Sequence, residues 1–221
     1  MTDGEHLISF LQDRKYTRAS KNHHEYLSYY GLNQASVQVL VDGIVKASVI
    51  MRDGRESNIA YIEGPSPVSL LCDEASEQAK APFNVRVESD RATCYSIPRP
   101  VFWRFVNADA RLQRYVKDCY RANLEQALRR TRYLAMNGKT GAVGALLYEL
   151  ARRFGTSDEQ GVRIGLAVTN EDLAGFCGAS SRNSVNRILR CFREQGIVAS
   201  GGHDGDLVAR DMDYLGRYTM G

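Results

Sequence analysis

The stretch VTNEDLAGFCGASSRNSVNRILRCFREQGIV, residues 168–198, constrains the fold more than any other part of this chain. Thr169 or Asn170 can cap a helix whose first turn holds two acidic residues, where the helix dipole favours negative charge. Gly178 follows that helix and suits a tight turn, because glycine adopts positive φ without steric strain. A second helix begins shortly after it. Two short helices joined by a tight turn are therefore predicted.

The second helix has one apolar face and one polar face. Val185, Ile188, Leu189 and Phe192 recur three and four residues apart, which places them on one side. The residues off that side are Arg182, Asn183, Asn186, Arg187 and Arg190. Gln195-Gly196 ends the helix, and IVASGGHDGDLVAR predicts two strands around a glycine-rich turn, a β-wing. Together these elements make a winged helix-turn-helix, whose second helix enters the DNA major groove.

The first hundred residues have a different sequence pattern, in which short runs typical of β-strands are separated by turn residues. A short helix from His6 to Leu11 leads into them. The run VQVLVDGIVKASVIMRDGRESNIAYIEG alternates in hydrophobicity and is interrupted at Asp42-Gly43 and Asp53-Gly54, both hairpin signals. FNVRVES and ATCYSIP predict two more strands. This pattern predicts an all-β barrel or roll, and the lack of βαβ alternation argues against a Rossmann-type domain.

The segment from Asp109 to Met136 predicts a long helix, since it lacks glycine and proline and is rich in helix formers. Its apolar residues form two stripes. The first stripe contains Leu112, Val116 and Cys119, and the second contains Tyr120, Leu124, Leu128 and Leu134. We expect the helix to pack against its own β-roll and against a second copy of itself. NGKTG, residues 137–141, ends it, and another helix runs to Gly155.

Charge and hydropathy narrow the class of protein. The net charge is −1 over residues 1–105 and +4 over the remainder, so the half that contains the helix-turn-helix is the basic one. No stretch approaches the roughly 18–20 apolar residues that span a bilayer, and the N-terminus lacks the pattern of a signal peptide. We therefore expect a cytoplasmic protein with no membrane partner.

Its five scattered cysteines are expected to be free and largely buried, with Cys177 and Cys191 in the core of the winged helix and Cys119 at an interface.

The order of β-roll, long helix and winged helix-turn-helix resembles the Crp/Fnr superfamily of bacterial transcription regulators. EDLAGFCG, SVNRILRCFREQGIV and LVDGIVKASVIMRDGRE carry this resemblance. An extra residue in GASSR, together with MNGKTG and DMDYLGRY, is similar to the PrfA-like branch. The resemblance implies an α+β fold, with a cyclic-nucleotide-binding-like jelly roll over residues 1–107. A dimerisation helix would follow over residues 108–137 and a DNA-binding domain over residues 138–221.

The resemblance also implies a function and the residues that perform it. The β-roll binds an effector, the long helix forms a homodimer, and the winged helices bind an inverted repeat in double-stranded DNA, with RNA polymerase as a further partner. The base-reading positions correspond to Arg182, Asn183 and Arg187, with Asn186 beside them. Phosphate contacts are expected from Ser181, Ser184 and His203. A regulator of this kind activates or represses according to where its site lies relative to a promoter.

The effector is harder to predict. The segment that would hold a cyclic phosphate contains Pro65 and Pro67, which lack backbone donors, and no Arg-Ser pair follows. This disfavours cyclic AMP. No cysteine precedes Cys72, which disfavours an iron–sulfur cluster, and the few histidines disfavour haem. The PrfA-like resemblance implies glutathione at Tyr61, but Ala122, Asn123 and Gln126 stand where cationic and aromatic contacts are expected. Another small molecule fits equally well.

Several patterns have more ordinary interpretations. His23-His24 suggests a metal pair, but a solvated turn explains it better. The acidic residues Asp73, Glu74 and Glu77 suggest a solvated surface, and Tyr26, Tyr29 and Tyr30 suggest the core or rim of the roll. No metal site, nucleophile–base pair or phosphate loop supports an enzyme. The alternative function is a ligand-binding interaction module whose winged helix contacts protein rather than DNA.

Overall fold

The computed structural model describes residues 2–12, 14, 16–69, 80–178, 181–201 and 207–219. The chain divides into two compact units. The first contains Met1–Val49 and Ile59–Glu125, and the second contains Ile50–Asn58 and Gln126–Gly221. His203, Cys72, Asp73, Glu74 and Glu77 lie outside the described residues.

The first unit is built on two four-stranded antiparallel sheets, which confirms the predicted β-roll. Their strand orders are β1-β8-β3-β6 and β2-β7-β4-β5. The strands are β1 Thr17–Asn22, β2 Tyr26–Ser28, β3 Ser36–Asp42, β4 Ile44–Ile50, β5 Glu56–Glu63, β6 Ser66–Pro67, β7 Asn84–Val87 and β8 Arg91–Pro98. The helices are α1 Asp3–Gln12, α2 Arg99–Ala108 and the start of α3, which spans Ala110–Phe154.

The two Asp-Gly turns differ in what they connect. Gly54 has φ 81° and joins β4 to β5, which are neighbours in one sheet, so the hairpin at Asp53-Gly54 is confirmed. Gly43 has φ 92°, but β3 and β4 belong to different sheets. The prediction of a hairpin at Asp42-Gly43 was wrong. This turn carries the chain from one sheet to the other, and a Cβ on Gly43 would stand 2.6 Å from a backbone oxygen of β8.

Three helices pack against the roll. Leu7 and Leu11 of α1, Phe102 of α2 and Leu112 of α3 are buried in one cluster with β-strand residues such as Ile97. The sequence did not predict α2, because Pro98-Arg99-Pro100 suggested a break. Proline is tolerated in the first turn of a helix, where its missing N–H has no partner to lose. In α3, Leu112, Val116 and Cys119 lie against the roll, which confirms that the helix packs on its own roll. The prediction that Cys119 lies at the interface with a second chain was wrong, because it packs against the roll instead.

The second stripe of α3 is exposed within one chain. Leu124 and Leu128 are each 61% exposed and Leu134 is 37% exposed, whereas Tyr120 packs against the roll. The helix is interrupted at Gly138, whose φ of 57° and ψ of −165° are not helical. The predicted break at NGKTG is thus confirmed.

The second unit contains the predicted helix-turn-helix and wing. After α3 come β9 Gly155–Asp158, β10 Gly161–Ile164, α4 Asn170–Cys177, α5 Arg182–Glu194, β11 Val198–Ser200, β12 Leu207–Ala209 and α6 Met212–Gly216. Strands β11 and β12 form the predicted wing pair and extend into a four-stranded sheet, β11-β12-β10-β9. Strands β9 and β10 and helix α6 had not been predicted.

The structure describes four of the five cysteines, and their surroundings agree with the prediction only in part. Cys94 and Cys177 are buried, and burial raises the pKa of Cys177 to about 12, so its thiol stays protonated. Cys119 is half-buried and packs against the roll. The burial predicted for Cys191 was wrong, since it is exposed beside the buried Phe192.

The histidine pair and the tyrosines of the roll lie at its surface. His23 and His24 form an exposed turn with rings 3.8 Å apart, as the turn interpretation requires. Tyr29 and Tyr30 are exposed, and Tyr26 stacks on Tyr29 at 4.8 Å, so this group belongs to the rim.

Candidate nucleic-acid interface

Helix α4 begins with a complete capping box. The backbone N–H of Asp172 donates to Oγ1 of Thr169 at 3.0 Å, and the backbone N–H of Thr169 donates to Oδ2 of Asp172 at 3.0 Å. The Thr169 hydroxyl also donates to that carboxylate at 2.7 Å. Two backbone donors that would otherwise lack partners are satisfied in this way. The box fixes where α4 starts and therefore where its first acidic residues point.

Gly178 ends α4 and Ser181 begins α5, so these two residues flank the turn between the helices. Gly178 has φ 57° and ψ 25°, and its N–H donates to the carbonyl of Ala174. Ser181 caps α5, because its Oγ accepts from the backbone N–H of Ser184 at 3.3 Å. The two serine hydroxyls are also 3.3 Å apart. The serines predicted to contact phosphate thus also define the first turn of α5.

Helix α5 separates its two faces as predicted. Val185, Leu189 and Phe192 are buried, and Ile188 is half-buried. The opposite face is exposed and consists of Arg182, Asn183, Asn186, Arg187 and Arg190. The first two turns of α5 therefore present two guanidinium groups and two amides to a ligand outside the protein.

Contacts with neighbouring residues differ along this polar face. Nη1 of Arg182 lies 3.5 Å from Oε1 of Glu171, and the side-chain amide of Asn170 donates to the side-chain oxygen of Asn186. The side chains of Arg187 and Asn183 make no hydrogen bond or ion pair with the described residues. Arg187 is thus the exposed cation on this face that needs no rearrangement before it contacts a base or a phosphate.

The back of α5 rests on the C-terminal segment. The ring of Phe192 lies 6.3 Å from that of Tyr214 and 6.5 Å from that of Tyr218. The carbonyl of Tyr218 accepts from the side chain of Asn137 at 3.0 Å, and the Tyr218 ring approaches Gly141. Burial raises the pKa of Tyr218 to about 12, so the phenol is neutral near pH 7. The sequence had not predicted that these tyrosines pack against α5.

The predicted effector residues occupy different surroundings. Tyr61 is buried on β5, and Asn123 is exposed on α3, both in the first compact unit. Gln126 is half-buried and belongs to the second unit. The effector site therefore stays a prediction. No group of metal-binding side chains occurs in the part of the chain that the structure describes. Within the same part, none of the helices has the length and hydropathy needed to cross a membrane.

Comparisons with known proteins agree with this architecture. The Crp-like helix-turn-helix domain matches residues 142–218. The lactate racemization regulatory protein of Lactiplantibacillus plantarum is 44% identical over 97% of this chain and 96% of its own length. The listeriolysin regulatory protein of Listeria monocytogenes is 24% identical over 81% of this chain and 75% of its own length.

Among solved structures, the c-di-GMP-responsive global regulator CLP of Xanthomonas campestris has a TM-score of 0.78 at 20% identity. The similarity covers 93% of this chain and 98% of that one. A roll, a broken long helix and a helix-turn-helix with a wing define a DNA-binding transcription regulator. The chain belongs to the Crp/Fnr family of such regulators.

Proposed function

We propose that this protein is a homodimer that recognises an inverted-repeat operator with helix α5 and adjusts transcription in response to a small molecule. The observation that carries the proposal is the exposure of Arg182, Asn183, Asn186 and Arg187 over the buried Val185–Leu189–Phe192 face. An arginine can donate two hydrogen bonds to guanine, and an asparagine can bond adenine in the same bidentate way. In this proposal Arg182, Asn183 and Arg187 contact bases and Asn186 lies beside them.

Phosphate contacts in the proposal come from the start of α5 and from the wing. Ser181 and Ser184 lie at the N-terminus of α5, where backbone N–H groups and the helix dipole favour an anion. His203 of the wing would contact the neighbouring phosphates. Such contacts set the position of the protein on the duplex without selecting a sequence.

The exposed stripe of α3 supports the dimer. Leu124 and Leu128 stand one turn apart with most of their surface exposed, and Leu134, further along the helix, is also partly exposed. Burial of a leucine side chain is worth about 1.5–3 kcal/mol, so a paired stripe would stabilise two chains substantially. Two α5 helices related by a twofold axis would then lie about 34 Å apart, which is one turn of DNA.

The effector and the regulated genes are proposed from the family resemblance and from one relative. The PrfA-like resemblance points to glutathione near Tyr61, Asn123 and Gln126. A relative named for the regulation of lactate racemization makes lactate metabolism the first process to test, with the lactate enantiomers as candidate effectors. A transcription regulator acts on RNA polymerase, so contact with that enzyme is part of the proposal. A cytoplasmic location is proposed too, because bacterial transcription takes place in the cytoplasm. No catalytic activity is part of the proposal.

Selection of bound duplexes from a random DNA pool by the purified full-length protein tests the proposal. Enrichment of an inverted repeat with half-sites about 10 base pairs apart is expected. The selection is repeated with glutathione, L-lactate and D-lactate, since a required effector reveals itself as enrichment in one arm only. If no arm enriches a sequence and binding lacks a steep salt dependence, the alternative of a protein-binding winged helix is favoured instead.

A further inference from the structure

The C-terminal end of α4 is held by a side chain from α3. The last carbonyls of a helix have no partners within it. Here the guanidinium of Arg130 donates to the carbonyl of Phe176 from Nε at 2.8 Å and from Nη2 at 2.6 Å. Nη2 also reaches the carbonyl of Gly175 at 3.3 Å, and the group lies 4.9 Å from the centre of the Phe176 ring. One arginine therefore both caps α4 and stacks on its last turn.

A second contact fixes α4 from the first residues of β5, which belong to the same compact unit. The side-chain amide of Asn58, almost fully buried, donates to the carbonyl of Asp172 at 3.0 Å. Gly175 faces the start of the same strand, and a Cβ there would stand 2.6 Å from the carbonyl oxygen of Glu56. A glycine at this position lets α4 approach closely enough for the Asn58 bond.

The Arg130 contact spans the break in α3. Arg130 and Leu134 precede Gly138 in the chain, whereas α4 follows it. The side chain of Leu134 lies 4.0 Å from where a Cβ of Gly178 would stand. The part of α3 before the break thus contacts α4 and lies close to the glycine at which the turn to α5 begins.

We propose that Arg130 and Asn58 are positioning residues that lock α4 against α3 and β5 and so set the orientation in which α5 is presented to DNA. This inference rests on the proposed reading role of α5. The arrangement suits the chemistry, because a cation at a helix C-terminus is favoured and charge-assisted hydrogen bonds are the stronger kind. A lysine would keep the charge but not the fork geometry that reaches two carbonyls.

Hydrogen exchange and DNA binding of the full-length Arg130→Gln variant test the lock. Exchange measured by mass spectrometry is expected to accelerate about tenfold in peptides covering α4 and the following turn, and to stay unchanged in the β-roll. Affinity for the selected operator is expected to fall about tenfold with the same salt dependence, because Arg130 contacts no phosphate in this proposal. Arg104→Gln, an exposed arginine on α2, is the matched control for the lost charge.

Two further variants keep the test decisive. Arg130→Lys is expected to fold and to show an intermediate acceleration, which covers the case in which Arg130→Gln unfolds. Asn58→Ala should accelerate exchange in the same peptides through the loss of its bond to Asp172. Unchanged exchange in these variants, or operator binding that stays equal or tightens, would overturn the lock. If even the unmodified protein selects no DNA sequence, the proposed function fails, whereas the exchange result still decides whether the lock exists.

Discussion

Replacing Arg187 with alanine removes an exposed guanidinium from the centre of the polar face of α5 and leaves the buried Val185–Leu189–Phe192 face intact. The Arg187 side chain has no ion pair or hydrogen bond with the described residues, so the substitution should change the free energy of unfolding by no more than about 0.5 kcal/mol. A bidentate contact with guanine discriminates by about 1–3 kcal/mol. Two copies per dimer therefore predict an operator affinity at least about 30-fold lower.

The assay is fluorescence anisotropy with the selected operator and with a shuffled duplex, each at several salt concentrations. For Arg187→Ala the loss should be concentrated on the operator, so the two duplexes become nearly equivalent. Arg190→Ala is the matched control: Arg190 lies on the same helix, exposed and 2.9 Å from Glu194, and should weaken binding to both duplexes alike. If Arg187→Ala weakened both duplexes by the same factor, Arg187 would be a phosphate contact and its base-reading role would be refuted.

Three further substitutions address the ion pair, the exposed stripe and the helix cap. Glu171→Gln removes a carboxylate 3.5 Å from Arg182, so binding to all duplexes should tighten a few-fold at low salt and less at high salt; anisotropy with no gain would contradict this. Leu128→Glu places a charge on the exposed stripe and should give a monomer in sedimentation, whereas a persisting dimer would exclude that interface. Thr169→Ala removes a cap worth about 1 kcal/mol and should lower Tm by roughly 2–4 °C in calorimetry, and an unchanged Tm would show that Asp172 starts α4 unaided.

The features that the sequence predicted well depend on neighbouring residues. The buried face of α5 follows from a spacing of three and four, and the start of α4 follows from Thr169 and the acidic residues after it. Gly138 and Gly178 both have φ 57°, as the breaks predicted at these positions require. In each case the physical cause lies within one or two helical turns, so it is visible in the local order of residues.

The features that the sequence missed depend on partners far along the chain. Strand β9, Gly155–Asp158, is polar and exposed at every position, and only its pairing with β10 makes it a strand. The exposure of Cys191 follows from its position around the helix axis rather than from its residue type. The sequence gives no sign that Arg130 holds α4. Its partners are backbone carbonyls 45 and 46 positions away, and any residue at 175 or 176 would offer such a carbonyl.

The contacts around α5 also limit how the break in α3 can move. Before Gly138, Arg130 holds the carbonyl of Phe176 and Leu134 lies near Gly178. In α5, Phe192 packs against Tyr218. The carbonyl of Tyr218 accepts a hydrogen bond from Asn137, the residue next to the break. A rotation about Gly138 must therefore lose at least one of these contacts unless α4, α5 and the C-terminal segment move together. Because each contact has discrete partners, we expect, under the proposed function, two alternative arrangements rather than a continuous range. An effector that favours one of them would alter DNA binding without touching α5.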